Sequence, residues 1–189
     1  MFDEFSANPY VSKDFPKGSC AMYTRQEFIK AFINKPDVLF KHLTHTFLLI
    51  CDRGVTHELV RHRVASFAQE STRYCNYSLG KFGGEISVIK PFYFDEDSIN
   101  YRLWKKACEE AEIYYFSLLE GNATPQEARA VLPHSLKTEL ILTTTEEEWQ
   151  HIVNLRYLGT TGAPHPQAKE VIGDTIVPLI TESCGRISA

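Results

Sequence analysis

The stretch from residue 57 to residue 73 concentrates side chains that bind anions and move protons. Its basic and hydroxyl members are Arg61, His62, Arg63, Ser71 and Arg73. Neighbouring residues of a helix point in different directions, so the three consecutive basic side chains would fan out toward more than one ligand or subunit. Guanidinium groups can each bond two oxygens of a phosphate or carboxylate, and a serine hydroxyl adds a donor. Spacing alone goes no further than a candidate anion site, and it favours a plain solvated basic helix face, because arginine is common at protein surfaces.

Three ordered blocks of the sequence resemble the flavin-dependent thymidylate synthases. The first block, Arg61-His62-Arg63 followed after seven residues by Ser71, reproduces the R-H-R-x7-S signature of that family. The second block, 128–138, resembles its A-R-x-x-L-P…T segment, and the third, 149–167, resembles its C-terminal helix and A-H-x-Q segment. The resemblance extends over roughly residues 40 to 180, which makes a chance match a poor explanation.

This resemblance implies an enzyme of nucleotide biosynthesis, a methyltransferase that converts dUMP to dTMP. The one-carbon unit would come from methylenetetrahydrofolate, and the hydride from bound FAD, which NADPH recharges. Members of the family are usually homotetramers whose active sites draw residues from several subunits. The expected partners are therefore dUMP, folate and nicotinamide small molecules and further copies of the chain.

The resemblance also assigns roles to individual residues. It implies that the residues holding FAD are Arg61, His62, Arg63, Gln69 and His151. It implies that the residues holding dUMP are Glu58, Leu59, Val60, Arg61, Gln69, Glu70, Ser71, Thr72, Arg73, Arg156 and, from a neighbouring subunit, Arg129. Ser71 and Arg73 belong to the part of the motif that grips the phosphate. Arg156 would be catalytic, because a fixed guanidinium near the uracil favours ionisation at N3 and raises the electron density at C5.

Two parts of the chain depart from the family's pattern. Where the family usually carries an Asn and an Arg that contact the flavin, this chain has Thr145 and Glu147. Residues 36–41 also lack the usual H-x-S/T and Glu pattern, and Lys41 is a hypothetical source of the positive charge that Glu147 does not supply. The departures leave two alternatives open: the same fold acting on another pyrimidine nucleotide, and a degenerate member that binds nucleotide without catalysis.

Cysteine and histidine are expected to serve structure. Cys75 follows the motif closely, yet no thiol nucleophile is needed where a flavin supplies the hydride, and a free cysteine is usually a small buried hydrophobe. No H-x-x-x-H pair, Cys/His quartet or glycine-rich phosphate loop occurs, so no metal site and no Rossmann unit are expected. The best local histidine pair, His42 and His45, is expected to pack and to form hydrogen bonds.

Composition indicates one folded domain over residues 1–189, with 1–20 as an irregular N-terminal arm. Hydrophobic residues make up 43% and charged residues 23%, which provides a core. A net charge of -4 argues against bulk nucleic-acid binding. Five scattered cysteines, no secretory signal and no long apolar run indicate a reduced, cytoplasmic protein that does not associate with membranes.

The helices and strands predicted around these residues indicate an α+β fold, in which helices pack on a mixed sheet. Periodicity predicts helices over 26–43, 57–67, 103–119, 125–133, 145–157 and 167–180, the last interrupted near Gly173 and Pro178. The helix 103–119 is expected to stop at Gly121, and the next two helices are expected to open with capping boxes, Thr124 with Glu127 and Thr145 with Glu148. The apolar side of the helix 145–157 is expected to carry Trp149, Ile152 and Val153. On the long helix, Leu103, Tyr114, Tyr115 and Leu118 are expected to share the apolar face. Strands are predicted over 44–51, 86–91 and 136–144.

Overall fold

The computed structural model describes residues 23–80 and 83–184, and the predicted arm at 1–20 lies outside them. The described residues divide into two units, with the boundary between Leu43 and Thr44. The single domain over 1–189 stays a prediction. Among the described residues, no helix combines the length and the apolar character needed to cross a membrane.

The first unit contains two short helices in place of the one predicted over 26–43. Helix α1 is Arg25–Ala31 and helix α2 is Pro36–His42. Pro36 is the first residue of α2, where its missing N–H costs no hydrogen bond. The same proline disfavours a helical conformation at the residue before it, and the predicted single helix is therefore wrong.

The second unit combines one sheet with helices, so the α+β class is confirmed. Its elements are β1 (Thr44–Asp52), α3 (Arg53–Leu59), β2 (Ala65–Gln69), α4 (Ile99–Glu120), α5 (Pro125–Ala128), β3 (Lys137–Thr145), α6 (Glu146–Val153), α7 (Pro166–Glu170) and α8 (Val177–Cys184). A 3₁₀ turn, Arg129–Val131, follows α5. The described part of the chain has two π-helical turns: Asn154–Leu158 continues α6, and Val171–Ile176 joins α7 to α8.

The sheet has the strand order β1-β3-β2, with β3 in the centre. Both pairings are antiparallel, so the mixed sheet that was predicted is wrong for the described strands. Burial alternates along β3: Leu140 and Leu142 are fully buried, whereas Ile141 between them is exposed. One face of the sheet therefore packs on the core and the other is open.

The helix predicted over 57–67 is also wrong, and the difference matters for the site. Helix α3 begins earlier, at the Asp52 N-cap, and ends at Leu59. Residues 65–69 form an edge strand instead, because they pair with 140–144 of β3. Pairing with a distant strand outweighs the local helical pattern. The R-H-R motif consequently lies in a connection rather than on a helix.

The long helix α4 is confirmed, and Gly121 is its C-cap as predicted, but the predicted apolar face is largely wrong. Tyr115 is buried, whereas Leu103, Tyr114 and Leu118 are exposed. The buried face instead follows Cys108 and Tyr115, seven residues apart, which is two helical turns.

The other elements follow the sequence more closely. The Thr124 capping box with Glu127 is present at α5, and Thr145 caps α6. The interruption near Gly173 is the π-helical turn, whereas Pro178 lies in the first turn of α8. The strand predicted over 86–91 is reduced to one bridge between Val88 and Leu136.

Candidate active site

The R-H-R motif lies in the connection 60–64, between α3 and β2. At the start of the connection, the Val60 N–H donates to the Thr56 carbonyl oxygen of α3 at 3.0 Å. At the end of the connection, the Thr144 hydroxyl donates to the Val64 carbonyl oxygen. Both ends of the connection are therefore attached to regular structure, which limits its conformations.

His62 is the buried member of the motif. It is 4% exposed, whereas Arg61 and Arg63 on either side are exposed. Its Nδ1 lies 3.0 Å from Oε1 of Glu148, and its Nε2 lies 3.2 Å from Nε of Arg156. His62 thus connects the motif to two positions of the helix 146–158.

These two contacts determine which nitrogen of His62 carries the proton. The Nε of Arg156 can only donate, so Nε2 of His62 must accept and be unprotonated. Its Nδ1 then carries the proton and donates to Glu148. Burial lowers the pKa of His62, the nearby Arg156 lowers it further, and the Glu148 hydrogen bond opposes both. The neutral ring with its proton on Nδ1 satisfies both neighbours.

Arg156 is held by Glu58 as well as by His62. Its Nη1 donates to the Glu58 carboxylate in an ion pair, and its Nη2 donates to the Glu58 carbonyl oxygen at 2.9 Å. Three of the five N–H bonds of the guanidinium are therefore used, and one remains on each terminal nitrogen. The group is a fixed cation that still has two donors.

The position of Arg156 depends on the π-helical turn Asn154–Leu158, which continues α6. The α-helical part is anchored by Trp149, Ile152 and Val153, all fully buried, as the sequence predicts. A π-helical turn inserts extra chain into a helix and rotates the side chains that follow it. Such turns are frequent at functional sites, and this one contains the predicted catalytic residue.

The exposed arginines of the motif have donors to spare. Neither Arg61 nor Arg63 has a hydrogen-bond or ion-pair partner among residues 23–80 and 83–184. The exposed His151 ring lies beside His62, with the ring centres 5.5 Å apart. These groups suit an extended anionic ligand such as a dinucleotide. Glu147 is exposed in the first turn of α6, where a carboxylate complements the helix dipole.

Ser71, Thr72, Arg73 and Arg129 belong to a second cluster. Nη1 of Arg129 donates to the Thr72 hydroxyl at 3.3 Å, and Nε of Arg73 donates to the Gln126 side chain at 2.9 Å. The Ser71 hydroxyl accepts from the Arg73 N–H in the turn after β2. Two exposed guanidiniums and two hydroxyls make this cluster suitable for a phosphate.

The two clusters, one around His62 and one around Arg73, share no hydrogen bond or ion pair within the described part of the chain. Arg129 contacts Thr72 of its own chain, and its predicted role in the site of a neighbouring subunit stays a prediction. The structure thus sorts the residues that the sequence assigns to one site into two groups.

Three of the residues assigned to dUMP have side chains that point into the protein interior. Leu59 is fully buried, and the Gln69 amide donates to the hydroxyls of Thr56 and Thr138 at 3.0 and 3.4 Å. Oε2 of Glu70 is buried and has no hydrogen-bond partner among the residues that the structure describes. Leu59 can therefore meet a ligand only through its backbone, whereas Gln69 still has a free carbonyl oxygen.

Cys75, beside the motif, is buried in the cluster that contains Tyr115, which confirms the prediction of a small buried side chain. Its thiol donates weakly to Oε1 of Glu70 at 3.4 Å. His45 forms a hydrogen bond of 3.1 Å with the buried Glu146, which confirms the expected structural use of that histidine.

A metal ion is a poor fit to the His62 cluster. His62, Glu148 and His151 do offer three ligand atoms within 4.8 Å of one another. A neutral histidine that binds a metal through one nitrogen carries a proton on the other and donates it. If the ion bound Nδ1 of His62, the ring proton would lie on Nε2 and point at the N–H donor of Arg156. If the ion bound Nε2, it would lie against the positively charged guanidinium of Arg156. Hydrogen bonding explains the cluster better.

The sequence interpretation missed the side-chain role of Glu148 and its link to Arg156. In the sequence, Glu148 has only the pattern of an acid in the first turn of a helix, where a carboxylate complements the helix dipole. The signal that could have found it is its spacing from His151, because residues three apart lie on the same face of a helix. Nothing in the sequence could have paired it with His62, 86 residues away.

Comparison with known proteins places the chain among relatives with one consistent description. A model of the family described as thymidylate synthase complementing protein matches residues 8–171. Flavin-dependent thymidylate synthases of Pyrococcus furiosus and Pyrococcus abyssi are each 34% identical over 119 residues, covering 62% of this chain and 48% of theirs. The one from Corynebacterium aurimucosum is 33% identical over 136 residues, covering 64% of this chain and 52% of its own. The chain thus spans about half the length of these curated relatives.

Solved structures support the fold. The UMP/dUMP methylase PolB from Streptomyces cacaoi bound with 5-Br UMP superposes with a TM-score of 0.60, at 23% identity, covering 82% of this chain and 77% of PolB. The same enzyme bound with 5-Br dUMP gives 0.61 at 22% identity, with 82% and 74% covered. At this identity the likeness establishes a shared architecture.

Proposed function

This chain belongs to the family of thymidylate synthase complementing proteins, and from that premise we propose that it is a flavin-dependent thymidylate synthase. It would methylate dUMP at C5 to give dTMP. Methylenetetrahydrofolate would supply the one-carbon unit, and NADPH the reducing equivalents. The relatives that carry this description support the proposal.

The observation that carries the proposal is the fixed guanidinium of Arg156 beside the R-H-R motif. Its contacts with His62 and Glu58 hold it before any substrate arrives. A charge that is already oriented loses no energy to reorganisation when negative charge develops on a substrate. The two remaining N–H bonds can meet the uracil, where they would favour ionisation at N3 and increase the nucleophilicity of C5.

The second cluster would hold the nucleotide phosphate. Arg73 and Arg129 supply positive charge, and Ser71 and Thr72 supply hydroxyls next to them. Guanidinium groups bind phosphate oxygens in a forked geometry, and hydroxyl donors add direction. A phosphate at this cluster would displace neutral contacts only, because the partners of the two arginines are Thr72 and Gln126.

The exposed residues around His62 fit a bound FAD. Arg61 and Arg63 have unused donors for its phosphates, and His151 offers an exposed ring. When bound, FAD supplies the hydride that completes the new methyl group. Glu147 adds a negative charge near this region, and the compensating role of Lys41 remains a hypothesis. Unchanged FAD affinity in Lys41→Ala would refute that hypothesis.

We expect the active form to be a homotetramer, and two exposed apolar surfaces support this part of the proposal. On the open face of the sheet, Leu48 of β1 lies opposite Ile141 of β3, and they are 58% and 44% exposed. On α4, Leu103 and Tyr114 are each 59% exposed. Apolar surface of this kind is stabilised when a second copy covers it.

The experiment that tests the proposal follows both the cofactor and the product. The purified chain is mixed with FAD, and its visible spectrum is recorded before and after dUMP is added. It is then incubated with dUMP, methylenetetrahydrofolate and NADPH, and dTMP is measured by chromatography. We expect a bound flavin spectrum that dUMP perturbs, and dTMP that disappears when any one component is omitted.

Parallel incubations with UMP and dCMP test the substrate. A methylated product from either of them in place of dTMP would contradict the choice of dUMP. A protein that retains no flavin absorbance after excess FAD has been removed by gel filtration would contradict the proposal altogether.

A further inference from the structure

Glu148 has a side-chain contact for which the function proposed above gives no role. It occupies the third position of α6, where its backbone N–H donates a hydrogen bond of 3.3 Å to the hydroxyl of the N-cap residue Thr145. In a capping box the carboxylate at this position would return to the N-cap backbone. The Glu148 carboxylate instead bonds Nδ1 of His62.

We infer that Glu148 is a positioning residue for Arg156 and acts through His62. The two hydrogen bonds form a chain with a single donor-to-acceptor direction: Arg156 donates to Nε2 of His62, and Nδ1 of His62 donates to Glu148. This inference rests on the proposed function for what Arg156 does to a substrate. The contacts themselves, and their test by spectroscopy, do not depend on it.

Glu148 is needed because of the polarity of these bonds. An imidazole with its proton on Nε2 would present that proton to the Nε–H of Arg156, which is a contact between two donors. The Glu148 carboxylate stabilises the opposite tautomer by accepting the proton of Nδ1. Without it, a buried N–H would lose its acceptor, and turning the ring to find another would remove the acceptor of Arg156.

Burial leaves the side chains of Glu148 and His62 little freedom to move, so Glu148 can fix the orientation of the His62 ring. Glu148 is fixed to the first turn of a helix whose inner face is fully buried, and its side chain is only 13% exposed. His62 has a side chain that is 2% exposed, so it has little room to rotate. Arg156 would keep its two bonds to Glu58 without His62, but it would lose the bond that fixes the plane of the guanidinium at Nε.

The charges around His62 predict the direction in which its pKa changes when either neighbour is replaced. Glu148 raises the pKa of His62 through its hydrogen bond and its charge, whereas Arg156 lowers it. Removing the carboxylate should therefore lower the pKa of His62, and removing the guanidinium should raise it. A pair of residues that merely filled space would move the pKa in neither of these directions.

The experiment is NMR of histidine- and arginine-labelled protein, comparing the unaltered chain with Glu148→Ala, Glu148→Gln and Arg156→Gln. We expect His62 to be protonated on Nδ1 in the unaltered chain. We expect its pKa to fall in Glu148→Ala and to rise in Arg156→Gln. The Arg156 Nε–H signal should exchange with water faster in Glu148→Ala, while Glu148→Gln, which keeps a carbonyl acceptor, should preserve its protection.

Glu147→Ala is the matched control, since it removes a carboxylate from the same helical turn at an exposed position without a partner among the described residues. It should leave both the His62 and the Arg156 signals unchanged. A His62 ring protonated on Nε2, or an Arg156 Nε–H that stays protected in Glu148→Ala, would overturn the inference. So would joint binding of equimolar Zn²⁺ by His62 and His151.

Activity provides a second readout. With dUMP as substrate, Glu148→Ala should lose about tenfold to a hundredfold in kcat with little change in KM, because a small displacement of a catalytic group has effects of this size. Glu148→Gln should recover most of that loss, and equal losses in both variants would overturn the inference. If the unaltered chain makes no dTMP, the proposed function fails, and the NMR measurements alone decide on Glu148.

Discussion

At the scale of single residues, the candidate site depends on a guanidinium that bonds three acceptor atoms at once. Arg156 reaches Nε2 of His62 and both a carboxylate and a carbonyl oxygen of Glu58. A lysine ammonium has three donors on a single atom and cannot span these positions. The geometry therefore requires arginine rather than positive charge alone.

We predict that Arg156→Lys lowers kcat for dTMP formation by about a hundredfold, the usual effect of losing an oriented donor. The measurement is turnover at saturating dUMP. Arg102→Lys is a suitable control, because Arg102 lies exposed on α4 and, among the described residues, its guanidinium donates only to the Asp97 carbonyl oxygen that precedes the helix. A fully active Arg156→Lys would exclude the role assigned to the guanidinium.

Cys75 leads to a prediction in the opposite direction. Its side chain is buried beside Tyr115 and forms a weak hydrogen bond with Glu70. A serine at this position can keep that bond, so Cys75→Ser should retain most of the activity. Complete loss of dTMP formation, with the fold and FAD binding intact, would show that the thiol takes part in the chemistry.

The buried His62 makes the stability of the chain depend on pH. Burial lowers the pKa of His62 in the folded state, so the unfolded chain binds a proton first as the pH falls. The free energy of unfolding should therefore decrease as the pH drops below the ordinary histidine pKa of about 6.5, and decrease further until the folded pKa is passed. Urea titrations at several pH values give the free energy of unfolding, and its change with pH should be smaller for His62→Gln than for the unaltered chain. Parallel slopes would contradict a depressed pKa.

At the scale of elements, the two π-helical turns contact each other through one side chain. The Tyr157 ring, in the turn after α6, packs on Gly173 in the turn between α7 and α8. A Cβ on Gly173 would lie 2.2 Å from the nearest ring atom. The glycine is thus needed for the close approach of the two helices.

We predict that Gly173→Ala lowers the free energy of unfolding by about 1–3 kcal/mol, the usual cost of overpacking. Urea denaturation measures the change, and adding Tyr157→Ala should recover part of it because the clash is then relieved. Gly80→Ala serves as the control, since a Cβ there meets no atom of the described, non-neighbouring residues within 4 Å. Equal stabilities of the two alanine variants would contradict the packing argument.

The sequence predicted those elements whose signals are local. The caps Thr124 and Thr145, the stop at Gly121 and the strand that became β3 all depend on residues close in sequence. The helix predicted over 57–67 failed because strand pairing with residues far along the chain decides that segment. The apolar face of α4 failed because exposed apolar residues follow the same helical spacing as buried ones.

The candidate site follows the same division. The R-H-R-x7-S motif and Arg156 were identified from sequence patterns, whereas the grouping into two clusters was not. The contacts of Glu148 with His62 and of Arg73 with Gln126 join residues 86 and 53 positions apart. A single sequence carries no record of such pairs, because either partner could be satisfied by water.

At the scale of the whole molecule, the open face of the sheet is the surface we expect a second copy to cover. We predict that the double variant Leu48→Glu, Ile141→Lys yields a smaller assembly, since charges there would be buried at high cost. Sedimentation gives the mass, with Leu79→Glu, at another apolar residue that is 49% exposed, as the control. An unchanged mass would place the subunit contact elsewhere.

The strand order has a consequence for how the protein acquires its structure during synthesis. The central strand β3 comes last of the three along the chain, so β1 and β2 have no partner until residues 137–145 have left the ribosome. Until then the apolar side chains of two unpaired strands are available for unwanted association. Pairings this distant in sequence also form slowly. We therefore expect the yield of folded protein to depend on chaperones and on growth temperature.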